Sequence, residues 1–329
     1  MAITINGTSG VSLVGQFDSA STFGFKNRII NGQMQIAQRA TSATITAGST
    51  IAAGYSTVDR FYVYCTGANV TAAQVPGSGA TKNRLQITGA ASVTAVGIGQ
   101  RIEQLNIYDM AGSTATLSLD ISNSLLTTVT WTAYYANTAD TFGTLASPTR
   151  TQIATGTFTV TSTLTNYSTQ ISIPAAATTG IEVVLTVGAQ TSGTWVVGNI
   201  QLEESSIATS FDYRPYGTEL NLCQRYYQQP IQNLSSGISQ GGILTFFAIN
   251  ANEAVLNNAL PVPMRATPIV TIYGNTGTAG NAFNGGAASE VSGVTVDRIN
   301  PYSISRVTKT AGWSTNALIT CVFTASAEL

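Results

Sequence analysis

Short runs in which apolar and polar residues alternate, each closed by Gly, Asn, Ser or Pro, recur along most of this 329-residue chain. Successive side chains of a strand face opposite ways, so a period of two fits strands with one buried face and cannot line one side of a helix. Ala115, Leu117, Leu119 and Ile121 alternate with Thr114, Thr116, Ser118 and Asp120, and Val129, Trp131, Ala133 and Tyr135 share one face. Met34 and Ile36 alternate with Gln33, Gln35 and Ala37, and Ile171 with Ile173, 181–185 and 195–197 continue the series. From 27 to 216 this predicts about ten short strands, rich in Thr, Val and Ile, at the spacing of a sandwich or jelly roll. The pattern resumes in 231–329, most clearly at 243–247, 269–273, 294–296 and 318–323. Between Gly274 and Gly293 the Gly/Ala/Asn-rich sequence predicts one long loop.

One segment breaks the pattern. Thr218 is placed to cap a helix, Glu219 lies in its first turn, and Leu220, Cys223 and Tyr227 recur on one face until Pro230 ends it. A helix of about ten residues is not stable alone in water, so it must dock on the β-structure or on copies of itself. The expected organisation is all-β: an N-terminal arm over 1–26, a jelly-roll sandwich over 27–216, a connecting helix over 217–230 and a C-terminal β-domain over 231–329. The arm is too short to fold alone. Val11, Leu13, Val14, Phe17, Phe23 and Phe25 give it more apolar weight than a free tail would carry, which suits ordering against a partner.

Composition narrows the function. Charged residues are 9% of the chain and the net charge is −1, so the concentrated basic surface that nucleic acid requires is missing. No apolar run reaches the roughly 20 residues of a membrane-spanning helix, and the first residues lack the pattern of a secretory signal. Histidine is absent, which removes the most common general base, Ser-His-Asp triads and most zinc and copper sites. Cys65, Cys223 and Cys321 are odd in number and far apart, and are expected as buried thiols.

The remaining chemistry is sparse. A glycosidase needs two carboxyl groups facing each other across a sugar, but Glu203 and Glu204 are strand neighbours on opposite faces. They are expected at a strand end, one solvated and one bonded to backbone or to Arg214. Asp59-Arg60 and Asp297-Arg298 are expected as local ion pairs. No acidic cluster of calcium-loop type occurs, so neither metal nor cofactor is expected. Gly97-Ile98-Gly99 and Gly285-Gly286 lack the helix and Lys of a phosphate loop and read as turn glycines. Aromatic rings are the natural sugar contacts. Trp131 and Trp195 fall on core-facing positions, Tyr134 on the opposite face. Trp313, beside Gly312 and Ser314, is the leading exposed candidate although packing also accounts for it, with Tyr273 and Tyr302 behind it.

Three motifs occur in order: NRIINGQMQIAQR (27–39) followed by VDRF (58–61), QLEESSIATSFDYRPYGTELNLCQRYYQ (201–228), and LPVPMRATP (260–268). Together they resemble the bacteriophage tail-fibre and virion structural protein family, with Ser205 and Ser210 departing from its usual Gly and Pro. The resemblance implies a non-enzymatic virion appendage, frequently homotrimeric, located on the particle and released by lysis. Its partners would be other tail or capsid proteins and host-surface glycans. It also implies that Leu220, Cys223, Tyr226 and Tyr227 act as an assembly clasp. An architectural adaptor without a host ligand is the alternative, and a polysaccharide depolymerase a third.

Overall fold

A computed structural model describes residues 25–48, 54–230, 244–310 and 312–329 in full, and 3–6 and 10–13 as backbone. Those two N-terminal stretches pair as an antiparallel hairpin, Ile3–Asn6 with Gly10–Leu13. The rest of the expected attachment arm up to residue 24 lies outside the described residues.

The chain is nearly all β. A five-stranded sheet runs in the order Arg150–Thr159, Thr128–Ala136, Ile181–Val187, Ala95–Ile102, Tyr62–Thr66. A six-stranded sheet runs Thr165–Ser172, Thr114–Asn123, Thr194–Glu204, Asn83–Thr88, Val70–Pro76, Ser42–Ile45. Every pairing is antiparallel, and the two sheets pack face to face as a jelly-roll-like sandwich. The alternating residues predicted to point inward do so: Leu117, Leu119, Ile121, Trp131, Leu185 and Trp195 share one core. Each such side chain contributes about 1.5–3 kcal/mol by leaving water. All three cysteines are buried and unpaired.

In the C-terminal region the strand Leu318–Ser326 serves two sets of partners. Its first half pairs with Leu244–Ala248 and Ala282–Asn284, its second half with Ile269–Tyr273 and Tyr227–Gln228. Further strands extend this sheet through Glu253–Ala259, Ser303–Thr308 and Thr295–Asn300. Their inner residues, among them Phe246, Ile304, Ile319 and Phe323, form a second core.

Four local expectations need correcting. The Met34/Ile36 alternation is a loop, with Asn31 and Met34 in the left-handed region. The Asn31 amide accepts from the Ile36 N–H at 3.0 Å and donates to the carbonyls of Ile36 and Asp59, doing locally what a partner strand would do. Helix α1 spans Tyr216–Gln224, with Pro215 at its N-cap in place of Thr218. Tyr227 has left the helix, because Arg225–Tyr226 turns the chain into the short strand that pairs with Ala325 and Ser326. The 274–293 insert is not one loop: Ala282–Asn284 and Ser289–Val291 form a hairpin on the C-terminal sheet. Glu290 secures it by accepting from Thr276 and Asn281.

Between the two cores lies a polar seam, and the three sequence motifs meet there. Arg60 ion-pairs with Glu328, donates to the Arg101 carbonyl at 2.6 Å, and sits 3.5 Å above the Tyr226 ring. Arg39 stacks 3.5 Å over Tyr227 and pairs with Glu328 at 3.2 Å. Asp59 accepts from the Gln38 backbone and side chain, so Asp59 and Arg60 look to distant partners, not to each other. Asp297 likewise pairs with Arg306 and not with Arg298. Burial pushes the Asp59 carboxyl up to about 6, against the pull of Arg39. Glu219 accepts from the Asn31 N–H at 2.5 Å and from Arg214, while Glu203 accepts from Thr209 and Gln201. Glu204 is exposed, as its position on the strand requires. A small apolar cluster of Ile30, Ile36, Cys223 and Tyr226, with Leu220 against it, fills the space under α1.

Candidate functional site

The outer face of the five-stranded sheet holds the candidate site. Its edge strand carries Tyr62 and Tyr64, which stand in register with Gly99 and Gly97 on the neighbouring strand. A Cβ at Gly99 would lie 2.2 Å from the Tyr62 ring, and one at Gly97 2.2 Å from the Tyr64 ring. Both rings therefore lie flat across the next strand, in sockets that only glycine leaves open. They are 6.4 Å apart with 24° between their planes, two adjoining tiles on the sheet. Tyr55 meets Tyr62 edge-on at 6.0 Å, and Val184, Tyr134 and Leu145 complete the cluster. Tyr62 and Val184 are buried at its centre, while Tyr55, Tyr64 and Tyr134 remain half-exposed around them.

An ionic knot fixes one end of this floor. Glu182 is fully buried and accepts from the Tyr62 hydroxyl at 2.8 Å, from Arg101 Nε at 2.8 Å, and from Arg150 Nη1. Burial pushes the Tyr62 hydroxyl well above its usual range, so it stays a donor near neutral pH. Arg101 also donates to the Gly143 carbonyl at 3.1 Å and to a carboxylate oxygen of Leu329, the last residue of the sequence, at 2.8 Å. The Arg150 guanidinium lies 4.0 Å over the Tyr134 ring, so the knot sets the tilt of that tyrosine as well. Across the sheet, Thr130, Thr132, Thr155 and Thr186 continue the same face with hydroxyls, Thr132 and Thr155 being bonded to each other at 3.0 Å.

Such a surface suits a sugar ring. The C–H face of a pyranose packs on a flat aromatic ring, and its hydroxyls are met by short polar side chains and by guanidinium donors at the rim. The Glu182 carboxylate is committed to its three donors and supports the floor from beneath.

The aromatic residues singled out from sequence are scattered. Tyr134 belongs to this face. Trp313 does not: it is 3% exposed, inside the C-terminal core. The Trp313 N–H donates to the Ala251 carbonyl and the Asn316 N–H to the Ala248 carbonyl, so the turn is held against the strand end and its ring drops inward. Tyr273 is half-buried on the strand Ile269–Tyr273, and Tyr302, 67% exposed, tops the turn between Thr295–Asn300 and Ser303–Thr308. Neither shares a sheet with Tyr134. Of the clasp residues, Cys223 and Tyr226 are fully buried, Tyr227 nearly so, and Leu220 packs beside them.

Sequence reasoning missed Tyr55, Tyr62, Tyr64, Arg101, Arg150 and Glu182. It also misplaced Gly97 and Gly99, which lie in the strand Ala95–Ile102 and not in a turn. The usable signal was a Gly-x-Gly inside a β-patterned run next to a Tyr-x-Tyr run of matching period.

No protein-family model matches the sequence, and no curated protein matches it either. Similar solved structures include a CBM4 structure, 12% identical over 53% of this chain and 98% of that one, with a TM-score of 0.35. A family 16 carbohydrate binding module is 20% identical over 40% of this chain and 85% of its own, with a TM-score of 0.29. The enzymatically active domain of tailspike protein 4 from bacteriophage CBA120 is 16% identical over 54% of this chain, with a TM-score of 0.33. This chain spans only 21% of that tailspike structure. At these scores the likenesses carry no argument about function.

Proposed function

We propose that this chain is a non-enzymatic glycan-binding structural protein of the kind its motifs resemble, a phage tail fibre or virion appendage. In this reading the outer face of the five-stranded sheet meets polysaccharide on the host surface. The observation that supports glycan binding is the half-exposed Tyr64 ring laid flat in the Gly97 socket, with the buried Tyr62 ring in the Gly99 socket supporting it. A ring that only had to fill a core would not need a glycine beneath it and an open face above, as Tyr64 has. The chain would work on the particle, beside other tail or capsid proteins, as a homotrimer. Trimeric presentation raises the strength of weak sugar sites through high effective concentration.

The test is affinity electrophoresis of the purified chain against a panel of bacterial surface polysaccharides, with reducing ends assayed in the same incubations. Retardation by at least one polysaccharide without release of reducing ends is expected. Release of reducing ends would make the chain a depolymerase. No retardation across the panel would leave the architectural adaptor as the better account.

A further inference from the structure

The outer face of the five-stranded sheet is not uniform, for two neighbouring rows of residues cross its strands and differ in what they leave free. The register sets Tyr64 opposite Gly97, Gly97 opposite Thr186, Thr186 opposite Thr130, and Thr130 opposite Thr157. Beside it, Tyr62, Gly99, Val184, Thr132 and Thr155 form a second row. The second row is closed. Tyr62, Val184 and Thr132 are buried, and the Tyr62 hydroxyl is given to Glu182. Thr132 and Thr155 are bonded to each other, and Thr155 donates to the Trp131 carbonyl at 2.9 Å. The first row is open. Tyr64, Thr186 and Thr130 are half-exposed, Thr157 is exposed, and the three threonine hydroxyls have no partner among the described residues.

The open row has a length and a charge. It runs from one edge strand of the sheet to the other, four strand spacings or roughly 19 Å. No charged side chain lies in it. At its margin, Arg101 and Arg150 are balanced by Glu182 and the Leu329 carboxylate. Resting on the glycan-binding reading above, we infer that the ligand is a neutral, linear polysaccharide held through an internal stretch along the open row. One sugar ring stacks on Tyr64, and the rings that follow exchange hydrogen bonds with Thr186, Thr130 and Thr157. A hydroxyl both donates and accepts, so each threonine can meet a sugar hydroxyl in either sense. Because the row reaches both edges of the sheet, the polymer enters on one side and leaves on the other, and neither chain end is needed.

The experiment is calorimetry on the whole chain with linear β-glucan, mannan, galactan and rhamnan, each as polymer, as oligosaccharides of about two to six units and as the free monosaccharide. Hyaluronan and polygalacturonate are the acidic probes. We expect at least one neutral polymer to bind, with affinity rising at least about tenfold from the disaccharide to the longest oligosaccharide. That affinity should change less than about twofold between 50 and 500 mM salt, since no charge contact is there to be screened. Thr130→Val combined with Thr157→Val keeps the side-chain shape and removes two hydroxyls. It should cost about tenfold on the longest oligosaccharide and leave the disaccharide on Tyr64 unaffected. Ser168→Ala, on the exposed face of the other sheet, should bind like the wild type. Thermal melts check folding, and should the double variant fail to fold, the length and salt series still decide. Binding confined to acidic polymers, or a monosaccharide bound as tightly as the longest oligosaccharide, overturns the inference and leaves glycan binding intact. So does a folded double variant that binds like the wild type. Failure to bind any of these probes or any polysaccharide of the bacterial panel overturns the glycan-binding reading instead.

Discussion

The seam between the cores and the tyrosine floor are built from the same residue types, arginine, tyrosine and carboxylate, with opposite outcomes. In the seam, Arg39, Arg60 and Arg214 each face an acidic partner, and Tyr226 and Tyr227 are buried beneath Arg60 and Arg39. On the floor, Arg150 Nη2 has no partner among the described residues and the outer tyrosine rings remain half open. Closed networks hold parts of a chain in register. Open ones leave interaction capacity for something else.

Substitutions that break this contrast should rank by how completely the group is enclosed. The largest effect is expected from Arg60→Ala, which leaves Glu328 with Arg39 alone and empties the space over Tyr226. About 3–5 kcal/mol of stability should be lost in urea unfolding. Loss of under 1 kcal/mol would mean that the seam does little to hold the chain together.

The second effect is one of pH. Burial holds the Asp59 carboxyl up at about 6, well above the usual carboxylate range. Because that value is raised, the charged carboxyl opposes folding at pH 7, and the penalty fades as pH falls through 6 towards 4. Relative to Asp59→Asn, the wild type should therefore gain up to about 3 kcal/mol across that window. A constant difference between the two proteins, in parallel pH titrations of unfolding, would show that Asp59 is not desolvated in the seam.

Smaller again is Gly99→Ala, where the new methyl meets the fully buried Tyr62 ring. A cost of about 1–3 kcal/mol is expected, since an enclosed ring has nowhere to move. Gly97→Ala presses on Tyr64 instead, which is half-exposed and can lift off the sheet. Its stability cost should stay below about 1 kcal/mol while sugar binding drops about tenfold, as measured by calorimetry. If Gly97→Ala and Gly99→Ala had equal effects on stability and none on binding, the sockets would be packing features only.

The contrast also explains what the sequence made legible. Strand alternation placed Leu117, Leu119, Ile121, Trp131 and Trp195 in the core, because burial on one face dictates residue type at every second position. The motifs that carry the family resemblance turn out to supply the seam: Asn31, Gln38, Arg39 and Arg60 from the first, Glu203, Arg214, Glu219 and Tyr226 from the second, Arg265 from the third. Arg265 donates its N–H to the Arg225 carbonyl and its Nε to the Ala327 carbonyl, tying the third motif to the second and to the C-terminal strand. The resemblance is thus to a frame, and says little about a ligand.

The floor was illegible for a different reason. Tyr62 and Gly99 are 37 positions apart, and Glu182 is brought to Arg101 and Arg150 only by the strand order of the sheet. Nothing local marks Gly97 and Gly99 as sockets until the tyrosines arrive across the ladder. Trp313 misled in the other direction, because its Gly and Ser neighbours have the composition of an exposed turn, yet backbone bonds to the adjacent strand end draw the ring into the core.

The measurement that bears most directly on the glycan floor is a comparison of Tyr64→Ala with Tyr302→Ala in affinity electrophoresis, on whichever polysaccharide retards the wild type. Tyr302 is the more exposed ring and lies on the C-terminal sheet, so exposure alone would favour it. Our account predicts that Tyr64→Ala loses retardation while Tyr302→Ala migrates like the wild type, both retaining wild-type melting behaviour within a few degrees. Loss of binding in Tyr302→Ala with Tyr64→Ala unaffected would contradict it and move the sugar site to the other end of the chain.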